Sequence, residues 1–369
     1  MYADALRDLP RAPAGSPAVL LGNRKGEALA VGYYDADSPL AFRVCDTDGR
    51  RRLDQRWAEA RLTAALAIRQ QLFDSTTTGY RLFNGEGDSV PGLVADIYAQ
   101  AAVIKLDGAG PSGFWNVQDV SDWIAEKLAV SSVYERRKER GHEGQPRCGA
   151  RPLAPVEFLE NGMRFTADIV KGQKTGFFLD QRDNRLLIRN LARRRTVLNV
   201  FSYTGGFSIA AGIGGAAQVT SVDLAEPAIQ AARNHWTLNG LDEANHEAFA
   251  VDAFQFLDDA ATHRRRWDIT IVDPPSFAPN QESVGKAVAA YQTLIAAGSK
   301  VTSSGGLLAA ASCSSHIDLP QFLKICEEGI SDSRRHATVL AIQGQPPDHP
   351  SPLALPEFRY LKFVLMRVD

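Results

Sequence analysis

Asp223, Asp252, Asp273 and Cys313 each follow a short apolar run in the second half of this 369-residue chain. Three carboxylates and a thiol at successive strand ends form a set suited to a nucleoside ligand and to covalent chemistry. An acid after one strand can accept from both hydroxyls of a ribose, the role open to Asp223. An acid after the next can accept from an adenine amino group, which suits Asp252. A thiolate can act as a nucleophile and split one hard step into easier ones. Each residue also has a plainer reading. Aspartate after a strand commonly caps the next helix, and a lone cysteine after an apolar strand is commonly buried and inert. Four such ends in register are harder to dismiss, and Ser312 and Ser314 give Cys313 a polar setting.

The elements that must position these groups follow from pattern. Trp267-Asp268-Ile269-Thr270-Ile271-Val272 is a β-rich run, and Asp273-Pro274-Pro275-Ser276-Phe277 stops it, because two prolines forbid the strand from continuing. Strands are predicted over 196–201, 218–222, 248–251, up to 272, 306–311 and 358–367. Helices are predicted from Gly205-Gly206-Phe207, over 226–238, from Ala253 through Phe256 and over 284–302. Alternating strands and helices predict a parallel sheet with helices on both faces. In such sheets ligands bind beyond the carboxyl ends of the strands, and Gly205 and Gly206 would let the backbone approach one closely. A nicotinamide site would also want an acid after the second strand, but residues 199–207 lack G-x-G-x-x-G, and there is no P-loop. The predicted cofactor has no pyrophosphate.

The first half reads differently. Short strands within 16–45, with a turn at Gly22-Asn23-Arg24-Lys25-Gly26, suggest a small β-barrel or sheet. Residues 54–73 and 113–128 read as helices. Residues 92–98 and 101–106 read as a hairpin, Ser132–Glu135 as a strand, and 141–155 as an exposed Gly/Pro/Arg-rich connection. These shifts predict three domains: 1–52, 53–165 and 166–369.

Composition narrows the classes. Hydrophobic residues make up 44% and charged residues 23%, as in a soluble globular protein. No apolar run approaches the roughly 20 residues of a membrane span, and no secretory signal is visible. Cys45, Cys148, Cys313 and Cys326 show no CxxC or Cys/His metal spacing, so neither a structural metal nor a membrane role is expected and the compartment is expected to be the reducing cytoplasm. A net charge of −2 does not advertise nucleic-acid binding. Local basic clusters do exist: Arg136-Arg137-Lys138 with Arg140, Arg193–Arg195 and Arg264–Arg266.

Asp273-Pro274-Pro275 with an aromatic resembles the fourth motif of class I S-adenosylmethionine-dependent methyltransferases. The runs Gly172-Gln173-Lys174-Thr175-Gly176-Phe177-Phe178-Leu179-Asp180-Gln181-Arg182-Asp183-Asn184-Arg185, Asn199–Phe207 and Ser312-Cys313-Ser314 resemble a narrower family, the 23S rRNA cytosine-5 methyltransferases. The resemblance runs through nearly the whole chain and is strongest over 170–315. It implies a Rossmann-like class I methyltransferase sheet preceded by a small mixed α/β domain and a β-rich PUA-like domain. It implies S-adenosylmethionine as donor, S-adenosylhomocysteine as product, and 23S rRNA as partner, with homodimers known among relatives. The residues expected at the cofactor are Phe201, Tyr203, Thr204, Gly205, Asp223, Leu224, Asp252, Ala253 and Asp273. Cys313 and Asp273 are the expected catalytic pair, and Lys174, Arg182, Arg136 and Arg137 the candidate RNA contacts. Lys174 and Arg182 could equally pair with neighbouring acids. Ser315-His316 departs from the Gly and apolar residue of relatives. Relatives also begin with a further strand, which predicts an incomplete barrel with an open edge near residue 18. A guanine-modifying relative and a non-catalytic RNA-binding factor of the same fold remain competing readings; the guanine relatives do not depend on a cysteine here.

Overall fold

The computed structural model describes residues 1–7, 11–23, 26–36, 38–137, 144–278 and 280–369. Arg24 and Lys25 of the expected turn, Lys138 and Arg140 of the basic cluster, and the start of the expected connection at 141–143 lie outside the described residues. The chain divides into two compact units. One takes Met1–Gly162, Thr166–Leu179 and Pro347–Leu353; the other takes Met163–Phe165, Asp180–Pro346 and Ala354–Asp369.

In the first unit β1 (Ser16–Leu21), β2 (Ala28–Tyr34) and β3 (Phe42–Asp46) form an antiparallel sheet in that order. Among the described residues β1 pairs only with β2, and its Val19 and Leu21 are exposed. Asp54 then starts α1 (Gln55–Leu72) by accepting from the Trp57 amide at 3.1 Å. A second sheet runs in the order β4 (Gly79–Asn84), β5 (Leu93–Tyr98), β6 (Ala101–Leu106), β7 (Ser132–Arg136), β8 (Gln145–Cys148). Between β6 and β7 lie α2 (Ala109–Phe114) and α3 (Val117–Leu128), the crossover that a parallel β6–β7 pair requires. Trp57, Leu62, Leu66, Phe83, Leu93, Ile104, Trp123 and Ile124 share its core. The expected exposed connection over 141–155 holds an edge strand, β8, whose Gln145 and Pro146 are exposed. Its Pro146 stands opposite Tyr134 on an edge strand, where a missing N–H is tolerated. β9 (Val156–Glu160) and β10 (Met163–Ala167) form a two-stranded sheet.

The second unit opens with α4 (Arg182–Leu191). Strand and helix then alternate: β11 (Thr196–Val200), α5 (Gly206–Ile213), β12 (Gln218–Asp223), α6 (Glu226–Leu238), β13 (His246–Ala250), α7 (Ala253–Thr262), β14 (Trp267–Val272), α8 (Val284–Val301), β15 (Thr302–Ser312), α9 (Leu319–Asp332), β16 (Ala337–Gln343) and β17 (Lys362–Val368). The sheet order is β13-β12-β11-β14-β15-β17-β16. Val197, Leu198 and Val200 of central β11 are fully buried, as a strand covered on both faces demands. β11 to β15 are mutually parallel. The expectation of a wholly parallel sheet is corrected at its far side, where β17 is antiparallel to both β15 and β16. The last strand also begins at Lys362 rather than 358, because Pro356–Phe358 forms a 3-10 turn, and β15 begins at Thr302 rather than 306. No helix among the described residues is long and apolar enough to cross a membrane.

Candidate active site

Because β13, β12, β11, β14 and β15 are adjacent and parallel, their carboxyl ends emerge at one sheet edge. Asp223 ends β12, Asp252 follows β13, Asp273 follows β14 and Cys313 follows β15, so the topology gathers all four predicted groups there. After β11 the chain turns through Phe201, Tyr203 and Gly205, with φ of 58°, 48° and 80°. A Cβ on Gly205 would lie 2.8 Å from the Ala232 Cβ of α6, so glycine is required both by φ and by the close helix. The Tyr203 amide donates to Asp223 Oδ2 at 2.8 Å and the Ala225 amide to Oδ1 at 3.0 Å, which orients the carboxylate. His235 Nδ1 lies 2.8 Å from the Thr204 carbonyl, which can only accept, so that nitrogen carries the hydrogen. Burial lowers the pKa of His235 and keeps the ring neutral. Asp252 does cap α7, accepting from the Gln255 amide at 3.0 Å, while remaining exposed. Ala253 is buried behind it, and Leu224 is 74% exposed beside Asp223.

Asp273 is oriented from a distant segment. Gln181 Nε2 donates to Asp273 Oδ2 at 2.9 Å, and Gln181 Oε1 in turn accepts from Asn184 Nδ2 at 2.6 Å. Beyond it the Asp-Pro-Pro-Ser-Phe run is joined to the cysteine loop. Ser276 Oγ lies 2.9 Å from Ser314 Oγ, which also lies 3.2 Å from the Tyr291 hydroxyl of α8. Ser312 Oγ donates to the Tyr291 hydroxyl at 3.1 Å. Both serines are fully buried, so besides making the setting of Cys313 polar they pin the loop on either side of it. Cys313 itself is partly exposed. Cys45 and Cys326, by contrast, are buried, and burial pushes both thiols up to about 12.

The basic candidates fall out unevenly. Arg182 is 2% exposed with Nε 3.7 Å from Asp183, so of its two expected roles it shows the pairing with an acid. Arg136 donates to the Lys174 carbonyl at 2.7 Å, and Arg137 pairs with Glu135 at 3.3 Å. Lys174 is exposed, its Nζ 5.0 Å from the Phe178 ring. Sequence reasoning missed Gln181, Tyr291 and Lys362. Gln181 stands inside the Gly172–Arg185 run, and Lys362 was visible as a lone cation in the apolar stretch Leu361–Met366.

Residues 122–353 match the family model described as S-adenosylmethionine-dependent methyltransferase. The whole chain is 37% identical to a ribosomal RNA large subunit methyltransferase of Deinococcus radiodurans, covering 93% of it. It is 35% identical to ribosomal RNA large subunit methyltransferase I of Alteromonas mediterranea, across 93% of this chain and 88% of that one. Among solved structures, a methyltransferase complexed with SAH matches with a TM-score of 0.86 at 29% identity, over 96% of this chain and 92% of that one. With a family model matched over most of its length and relatives of this kind, the chain belongs to the S-adenosylmethionine-dependent methyltransferases, in the family of the ribosomal RNA large subunit enzymes.

Proposed function

We propose that the chain methylates carbon 5 of a cytosine in 23S rRNA, with S-adenosylmethionine as donor, S-adenosylhomocysteine as product and Cys313 as the nucleophile. The residues present fit a sulfonium nucleoside. Thr204 Oγ1 and Ser202 Oγ are buried with no hydrogen-bond partner among the described residues, on the tight turn that Gly205 permits. Asp223 would take the ribose hydroxyls, Asp252 the adenine amino group, and exposed Leu224 an adenine face. Phe201 and Tyr203, on the same turn, would close the pocket.

Carbon 5 of cytosine is a poor nucleophile. Addition of the Cys313 thiolate to carbon 6 forms a C–S bond and moves the 5,6 π pair onto carbon 5, turning the ring into an enamine. When bound, S-adenosylmethionine supplies an electrophilic methyl group. Removal of the carbon 5 proton by a base then restores the double bond and expels the thiolate. Asp273, held by Gln181, would accept a hydrogen bond from the exocyclic amino group on the ring edge and so orient the cytosine. The observation that carries this reading is a partly exposed cysteine leaving β15 at the edge shared by Asp223 and Asp273, its loop fastened to the Asp-Pro-Pro-Ser-Phe run.

The test is a nucleoside digest of rRNA incubated with labelled donor. Wild type should yield 5-methylcytidine, and Cys313→Ser should yield none above background. RNA carrying 5-fluorocytidine should trap wild type as a covalent adduct, because fluorine blocks the final proton loss. A labelled methylguanosine, or unimpaired turnover by Cys313→Ser, would overturn the proposal.

A further inference from the structure

We propose that Lys362 is a positioning residue that holds Cys313 as a thiolate. This inference rests on the reading of Cys313 as the nucleophile. In the β15–β17 register Lys362 is the partner of Ser312, the residue immediately before Cys313. Its Nζ donates to the carbonyl of Ser314, the residue immediately after, at 2.5 Å, and to the carbonyl of Tyr360 at 2.8 Å. The ammonium therefore reaches across the cysteine's own backbone, from a side chain that is 3% exposed. Two carbonyl dipoles are modest compensation for a buried cation, and a negative partner is what makes such a charge tolerable.

Two further elements bring groups to face this pair. Tyr291 of α8 faces Cys313, and burial raises its pKa, so the phenol stays neutral and adds no competing charge. Asp318, at the start of α9, faces Lys362 but already spends one oxygen on the Gln321 amide at 2.8 Å. Asp180 accepts from the hydroxyl of Tyr360, two residues before Lys362, at 2.7 Å. Burial lowers the Lys362 ammonium to about 8, with Cys313 and Asp318 pulling the other way. Ala310, Ala311 and Phe363, beside Ser312 and Lys362 in the two strands, are buried and apolar, so water screens the ammonium little. Deprotonation releases the thiol proton to solvent, while the ammonium keeps all three of its own. The flanking serines make the loop polar, and Lys362 brings to it the sign of charge a nucleophilic sulfur needs.

The experiment measures alkylation of Cys313 by iodoacetamide against pH in the full chain, read by mass of the Cys313 peptide. Wild type should react with a midpoint below the ordinary thiol value of about 8.5. Lys362→Met, which keeps the stem and drops the charge, should move that midpoint up by about one pH unit or more, with about tenfold slower alkylation at neutral pH. Lys362→Arg should keep the low midpoint. Equal midpoints in wild type and Lys362→Met would overturn the proposal. So would a wild-type midpoint at or above about 8.5, which needs no variant to fold. Intact methylation by Cys313→Ala would instead sink the nucleophile reading and leave the alkylation comparison standing as measured.

Discussion

Asp273 can serve a substrate ring only if its carboxylate points one way, and Gln181 is the side chain seen to aim it. A hydrogen bond to a charged group contributes about 1.5–3 kcal/mol. Gln181→Leu should therefore lower turnover about 10- to 100-fold, with far-UV circular dichroism unchanged; turnover within twofold of wild type would show that Asp273 needs no such support. Gly205→Ala makes a second case at this scale. It forces a side chain into φ 80° and against Ala232, so donor affinity should fall about tenfold or more, read by calorimetric titration with S-adenosylhomocysteine. Much of this site was legible in the residues. Asp223, Asp252, Asp273 and Cys313 each follow an apolar run, and two prolines mark where one of them stops. The supports were not. Gln181 meets Asp273 across 92 positions, and Lys362 meets the cysteine loop across 48, and no local pattern encodes a pairing of that span.

At the scale of elements, the outer strands of the sheet carry a pH dependence of their own. His246 of β13 stacks on Trp236 of α6, with ring centroids 4.4 Å apart, and its Nε2 lies 2.8 Å from Ser221 Oγ on β12. Burial, aided by Arg233, pushes His246 down from 6.5 to about 4. Between those values the unfolded chain binds the proton and the folded one does not, so stability falls as pH drops from 6.5 toward about 4. Buried His235 is shifted in the same direction. Urea midpoints should drop between about pH 7.5 and about pH 5, and His246→Gln should flatten part of that slope. An unchanged slope in the variant would remove His246 from the account. The inner elements were readable because strand and helix periods alternate cleanly. The antiparallel β16–β17 pair was not, since direction in a sheet is set by which edge remains open when the chain returns.

The whole molecule folds with its chain interleaved, and the Pro-rich segment 347–353 shows why that matters. It belongs to the unit otherwise built from Met1–Gly162 and Thr166–Leu179. Arg69, 1% exposed, binds both oxygens of Asp88 at 2.5 and 2.7 Å and donates to the Asp348 carbonyl at 2.7 Å. The Arg81 amide donates to Asp348 Oδ2 at 2.9 Å, and Asn84 Nδ2 to the Pro350 carbonyl at 2.8 Å. Nothing in 347–353 announces this, because its apolar content is low and its partners lie more than 250 positions away. A fragment of residues 1–179 should therefore be less stable than the same unit in the full chain. Three donors lose their acceptors at about 1–3 kcal/mol each when they stay buried. Gly87→Ala tests the same docking without truncation, since a Cβ there would lie 1.9 Å from the Pro350 carbonyl oxygen and must push the segment away. Gly87→Ala should also speed proteolysis at 347–353, and both changes should lower the urea midpoint. A fragment and a Gly87→Ala chain that each unfold at the wild-type midpoint would mean that the late segment merely lies on the first unit instead of completing it.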